Sequence, residues 1–291
     1  MTESCQCLND EDRPLITGND IVPYDNDGPA PVISVLMITR NHSPYISQAI
    51  MSVLAQELDG TLELLIGADA SSDDTGTRCA ILASRYPDTI RLFTSPEGPL
   101  GMHTNFARLL DAARGLYLSF LEGDDYWTTT DKLKRQIALM DLNPGLSLCG
   151  TRTVVVEFEP KNGWRATGEL GPVQVQPTYT FAELIPHYNF HFSSVLVRRS
   201  ALKLPGWVSR QYCIDRPLYL LAAQHGDAGF IDAVTSAYRH HEGGVWSGQG
   251  MHYKAEASRK LFQALMEHFP SQYRPAFRRA LSGILWYYLS E

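Results

Sequence analysis

The apolar run Leu116–Leu121 stops at Glu122-Gly123-Asp124-Asp125, three carboxylates within four residues, and this junction limits the possible folds more than any other stretch. A strand-length run without alternation implies a strand covered by helices on both faces. Carboxylates gathered at the end of such a strand are costly unless a cation neutralises them. A hard divalent ion, Mg²⁺ or Mn²⁺, between carboxylates and a substrate phosphate is one solution and points to a nucleoside diphosphate. Helix capping or a solvated turn is the other.

The preceding chain repeats this grammar. Ile33–Ile38 is another apolar run, ended by Thr39-Arg40-Asn41, after which Ser43 and Pro44 open a helix with Ile46, Ile50, Val53 and Leu54 on one face. Leu62–Ile66 enters a second acidic loop, where Asp73, Asp74 and Thr75 read as the cap of a helix ending near Tyr86. Arg91–Phe93 reads as a short strand, and a helix bearing Phe106, Leu109, Leu110 and Ala113 is closed by Gly115. Beyond the acidic junction, Asp131 caps a helix whose Lys132 and Arg135 are either phosphate contacts or a solvated face.

Ser147–Glu157 reads as a strand, and glycines and prolines up to Thr180 predict an irregular insertion. Thr180 and Glu183 have capping-box spacing, Ser193–Val197 reads as a strand, Asp215 opens a helix and Val234–Tyr238 is a last strand. His187 and His191 read as aromatic lining rather than metal ligands, since no Glu accompanies them and Pro186 disturbs the helix. Strands alternating with helices imply an α/β fold with a mostly parallel sheet, and both acidic loops then lie at the ligand-binding edge.

Leu121-Glu122-Gly123-Asp124-Asp125-Tyr126-Trp127, followed by Lys132-Leu133 and Gln136, resembles the metal-site segment of the family-two glycosyltransferases. The resemblance runs from about Val32 to about Ser247. It implies a GT-A (Rossmann-like) fold with a mixed, mostly parallel sheet. It also implies an inverting, metal-dependent transfer from a nucleotide-diphosphate donor, a UDP-sugar first, to an acceptor hydroxyl in glycan or polysaccharide biosynthesis.

By the same resemblance Asp124 is the direct metal ligand for Mn²⁺ or Mg²⁺, and Glu122 faces the ribose or the metal's water. Asp125 is a supporting group or a helix cap. Gly123, Thr39, Arg40 and Asn41 belong to the donor site, although Arg40 and Ile38 stand where the family has Tyr and Pro. Asp69 corresponds to an acid that contacts uracil or ribose, with Ala68 in place of the acid before it. Gly101 and Asn105 correspond to donor-lining residues, Asn105 being equally suited to helix capping. Asp215 corresponds to the base that deprotonates the acceptor, or is simply an N-cap. Tyr238–Ser247 resembles the closing segment near the diphosphate, in which Arg239 meets phosphate and His241 is a further candidate metal ligand.

Three segments are expected: an acidic tail or linker over 1–31, a catalytic domain over 32–250 and a helical extension over 251–291. The tail holds seven acids and one base, most of the net charge of −7, and with no extended basic surface nucleic acid is not an expected partner. The extension carries six bases against three acids. It can dock on the core, pair subunits as a homodimer, or touch an anionic membrane that presents a lipid-linked acceptor. Five cysteines without a C-x-x-C pair suit free thiols. With no leader and no long apolar run, the expected location is cytoplasmic or peripheral to the inner face of the membrane. The alternatives are a sugar-phosphate nucleotidyltransferase, disfavoured because Thr39–Ser43 lacks glycine, and a catalytically silent binding or scaffold protein. A dehydrogenase is disfavoured because no G-x-G-x-x-G follows the first strand.

Overall fold

The computed structural model describes residues 30–186, 190–241, 243–244, 246 and 248–290. The acidic tail up to residue 29, His187, and Glu242, Val245 and Ser247 of the closing segment lie outside the described residues.

Four parallel strands form one half of the sheet, in the order β3 (Ile90–Thr94), β2 (Leu62–Ala68), β1 (Ile33–Thr39), β4 (Tyr117–Glu122). Thr39 pairs with Ala68 and Ile38 with Glu122, so the polar ends of β1, β2 and β4 leave the sheet together at one edge. Helices α1 (Ile46–Leu54), α2 (Thr75–Arg85) and α3 (Met102–Ala112) connect these strands. The two-residue period of a strand sends alternate side chains to opposite faces. Ile33, Val35 and Met37 accordingly join one apolar cluster with Leu64, Ile66 and Leu121, while Leu36 joins the other with Leu65, Leu118 and Phe120.

The second half contains β5 (Tyr126–Trp127), α4 (Lys132–Leu142), β6 (Leu146–Glu159), β7 (Gly163–Leu170), β8 (Thr178–Tyr179), α5 (Phe181–Leu184), β9 (Leu196–Arg198), α6 (Asp215–Ala223) and β10 (Asp227–His240). The short β9 joins the halves, running antiparallel to both β4 and β6, and β10 lies parallel to β6. The result is a mixed α/β sheet whose long central pairings are parallel, flanked by helices. Helices α7 (Met251–His268) and α8 (Arg274–Ser290) follow, and Leu261, Phe262, Leu265, Phe269 and Phe277 enter the cluster that contains Phe120.

Several local expectations change. Helix α1 begins at Ile46 rather than beside Ser43, because the backbone N–H of His42 donates to Thr75 Oγ1 at 2.8 Å and that of Ser43 to Asp73 Oδ2 at 3.0 Å. Gly115 does not close α3. It allows a close approach to β1, since a Cβ there would lie 2.4 Å from Ser34 N. The expected insertion after Glu157 is largely a hairpin, β7 pairing antiparallel with β6 and turning at Gly163, whose φ of +73° suits a residue without Cβ. The strand expected from Ser193 starts only at Leu196, after a 3-10 turn over Phe192–Ser194.

Candidate active site

The acidic junction lies where β1 and β4 end side by side. Gly123 is required there, since a Cβ would meet Thr39 Oγ1 at 2.3 Å and Thr39 Cβ at 2.6 Å. Its N–H donates to Ile38 O at 3.0 Å, which fixes the turn that presents Asp124. Asp124 Oδ2 lies 3.2 Å from His241 Nε2 and 3.4 Å from His42 Nε2. Burial alone would raise this carboxyl, but the His241 hydrogen bond and the charges of both imidazoles hold it below the usual range. Burial lowers His42, partly offset by Asp124.

Beside Asp124 in the chain lies a donor cluster, half-buried at Glu122 and buried at Asp125 and His191. Glu122, Asp125 and His191 each offer a metal-type ligand atom, all within 4.8 Å of one another. Asp125 is fully buried and already anchored, Oδ1 accepting from the Arg239 N–H at 3.0 Å and Oδ2 from Ser193 Oγ at 2.6 Å. That makes it a strut between β4 and β10. Burial pushes Glu122 well above the carboxylate range, and the charges of Asp124, Asp125 and Asp215 add to the effect. Burial brings His191 down to about 4. Asp215, the first residue of α6, is near enough for its charge to reach Glu122 and His191, and its Oδ1 accepts from the Arg216 N–H at 2.8 Å.

Other expected residues gather at this edge in different states. Thr39 is buried, its Oγ1 3.2 Å from His42 Nδ1. Exposed Arg40 donates to Ala70 O at 3.1 Å, and Asn41, left-handed at φ 55°, accepts from the Ser72 N–H at 2.9 Å. The Asp69 carboxylate takes Ser95 Oγ and the N–H groups of Ala70, Leu100 and Gly101, at 2.7 to 3.0 Å. Burial would raise its pKa, but these four bonds lower it. Asp69 therefore clamps the loop that carries Gly101, the residue preceding α3. Asn105 is no cap. Its Nδ2 donates to Gly67 O at 2.8 Å and its Oδ1 accepts from Arg108, joining α3 to β2. The Arg239 guanidinium is buried against Tyr126, Tyr45 and Trp164, 4.4 to 5.5 Å from each ring, and donates to Asp124 O and Gln48 Oε1.

Lys132 fits neither expected role. It is fully buried, its Nζ 2.8 Å from Gln136 Oε1 and 4.5 Å from the Trp127 ring centroid, and burial lowers it to about 7. Arg135 does lie on the exposed face, 3.9 Å from Asp131.

Two residues at the site had weak signals. His42 lies in Asn41-His42-Ser43, which reads as a chance sequon, although a histidine at the end of the first buried strand was a usable cue. His191 does pack on Tyr238, with centroids 4.7 Å apart, as aromatic lining would, and also lies 3.8 Å from Asp125. The paired acids and imidazoles can hold a divalent cation, and a carboxylate at the helix start beside them can take a proton.

Residues 34–204 match the family model described as Glycosyl transferase family 2. An uncharacterized protein of Mycobacterium tuberculosis is 31% identical over 217 residues, 74% of this chain and 60% of that protein. The chain thus spans about three-fifths of the length of this curated relative. Among solved structures, residues 1–349 of Staphylococcus aureus TarS in complex with UDP-GlcNAc superpose with a TM-score of 0.64 at 16% identity, over 89% of this chain and 72% of that fragment. The Pyrobaculum calidifontis mannosyltransferase PcManGT in complex with GDP-Man and Mn²⁺ gives 0.58 at 14% identity, over 96% and 77% of the two chains. At these identities the two structures speak for the fold.

Proposed function

The chain belongs to glycosyltransferase family 2, and from that premise we propose that it moves a sugar from a nucleoside-diphosphate donor, a UDP-sugar first, to an acceptor hydroxyl with inversion. The observation that carries this reading is Asp124, flanked by His42 and His241 at the end of β4, beside the donor cluster of Glu122, Asp125 and His191, with the charge of Asp215 reaching Glu122. Glycan or polysaccharide biosynthesis is the setting such a transfer suits. Among the described residues no helix is long and apolar enough to cross a membrane.

A divalent cation fits the donor set. Among the described residues no Lys or Arg forms an ion pair with Glu122, Asp124 or Asp125, although the charge of Arg239 reaches Asp125, and mixed carboxylate and imidazole ligands suit Mn²⁺ better than Mg²⁺. Asp124 would hold it with Glu122 and His241. When bound, the ion supplies Lewis-acid neutralisation of the leaving diphosphate, worth several kcal/mol.

The remaining work belongs to side chains. Arg239 and His241 hold Asp124 from its carbonyl and its carboxylate. Asp215 takes the proton of the acceptor hydroxyl as its oxygen bonds to the anomeric carbon. The bond to the diphosphate oxygen breaks with its electron pair leaving on phosphate, and a single in-line displacement inverts the centre. A positioned base of this kind contributes about 10²–10⁴-fold.

The test is a panel of UDP-, GDP- and dTDP-sugars, read by thermal shift and slow donor hydrolysis with Mn²⁺, Mg²⁺ or chelator. One donor should stabilise the wild type only with metal. Asp124→Ala should lose that response, and Asp215→Asn should keep it while transfer falls by about 10²-fold or more. A protein that binds none of these donors with either metal is not this transferase.

A further inference from the structure

Asp215 opens α6 without a side-chain cap beneath it. Ile214, the residue before it, makes no capping hydrogen bond, and the Asp215 carboxylate bonds the N–H of its own neighbour, Arg216. With no cap to fix the first turn, the placement of the carboxylate depends on the chain that delivers it. That chain, residues 211–214, is neither helix nor strand.

The delivering segment is held from several sides. Ile214 is buried in the apolar cluster that contains Phe120, and Tyr212 stacks on Trp246 of the closing segment with centroids 4.6 Å apart. Gln211 is held from much farther away in sequence, its carbonyl oxygen lying 2.7 Å from His103 Nε2. A carbonyl oxygen can only accept, so His103 Nε2 carries the proton and donates it. The N–H and side-chain amide of Gln211 donate to Val208 O at 3.0 Å and Trp207 O at 3.1 Å, both within its own turn. The His103 bond therefore ties that turn to a distant element.

The element at the other end of the bond is well anchored. His103 is the second residue of α3, whose start is clamped by Asp69 through the N–H groups of Leu100 and Gly101, and Asn105 ties the same helix to Gly67 of β2. Helix α3 thus connects the sheet edge at the end of β2 with the segment that carries Asp215. We propose that His103 is a positioning residue for Asp215, its hydrogen bond to Gln211 O setting where the carboxylate stands relative to the donor side of the site. The assignment deepens the transferase reading and rests on Asp215 being its base.

The assay is hydrolysis of UDP-N-acetylglucosamine, GDP-mannose and dTDP-rhamnose with Mn²⁺, in which water takes the place of the acceptor hydroxyl. The metal-dependent donor shift and the melting temperature are measured alongside. The proteins are the full-chain wild type, His103→Ala, His103→Gln, Asp215→Asn and the combined His103→Ala and Asp215→Asn variant. His103→Ala should lower kcat by about ten- to a hundredfold, the scale of a misplaced catalytic group, and leave the donor KM and the donor shift unchanged. His103→Gln, whose amide can donate to the same carbonyl, should recover most of the rate. In the Asp215→Asn background, loss of His103 should cost no more than about twofold further, because a residue that acts through the carboxylate then has nothing to act on. An equal loss in both backgrounds, no loss in either, or a raised KM with unchanged kcat overturns the positioning role. So does a loss that glutamine fails to restore and that follows the melting temperature, which makes His103 a packing residue. A wild type that hydrolyses none of the donors, or an Asp215→Asn protein as fast as the wild type, defeats the transferase reading and the role of His103 with it. A full effect of Asp215→Asn with none from His103→Ala defeats the positioning role alone.

Discussion

At the residue scale the site depends on one absent side chain. Any Cβ at position 123 would lie inside van der Waals contact of Thr39, itself packed at the end of β1. Gly123→Ala is therefore expected to cost about 1–3 kcal/mol through overpacking and to move Asp124 away from His42 and His241. The melting temperature should fall, and the metal-dependent donor shift should weaken even after correction for lost stability. An unchanged donor shift would show that the turn yields without carrying Asp124 with it. The acidic junction itself was readable from the sequence, because three carboxylates ending an apolar run is a local pattern. The division of labour among them was not local. Asp125 is a strut only because Arg239 and Ser193 reach it from 114 and 68 residues away. Asp69 and Asn105 look like ligand-binding residues in sequence and in the fold hold a loop and a strand.

At the element scale, α4 carries a buried cation. Lys132 and Gln136, one turn apart, face inward, with Gln136 Nε2 donating to Cys149 O and Ser194 O at 2.9 Å each. A lysine followed by helical residues looks solvated in sequence, because only the packing of Trp127 over it shows otherwise. Its pKa of about 7 in the fold against 10.5 when unperturbed sets a pH dependence. Between those values the unfolded chain holds the proton and the native one does not, so stability rises with pH across that window. Below about pH 7 both forms are protonated and the full cost of the buried charge is present. Relative to Lys132→Met, the wild type should gain on the order of 2 kcal/mol between pH 7 and 9, measured by denaturant titration. The variant leaves Gln136 Oε1 without its donor, a constant offset that does not affect the slope. A difference independent of pH would mean that Lys132 stays charged in the fold. The β6–β7 hairpin escaped sequence reading for a related reason, since Gly163 and Gly168 resemble loop residues until strand pairing gives them partners.

At the scale of the whole molecule, the sheet is covered on both faces by separate apolar clusters, and α7 and α8 complete one of them. Phe262 is essentially inaccessible, lying near Phe277 and under the Arg216 guanidinium at 5.2 Å. Residues 251–291 look like an appendage in sequence because their polarity shifts. Their stripe of Leu261, Phe262 and Leu265 nevertheless shares a core with Leu118 and Phe120 of β4. Phe262→Ala should cost about 3–5 kcal/mol, the range for deleting a buried aromatic ring. If the helices and sheet form one cooperative unit, native-state hydrogen exchange should show amides of β1 and α7 losing protection by the same free energy. Leu36 and Leu265 are suitable reporters, one on the sheet and one on the helix, both in the cluster that contains Phe262. Loss of protection confined to α7 and α8 would mean that the helices melt alone.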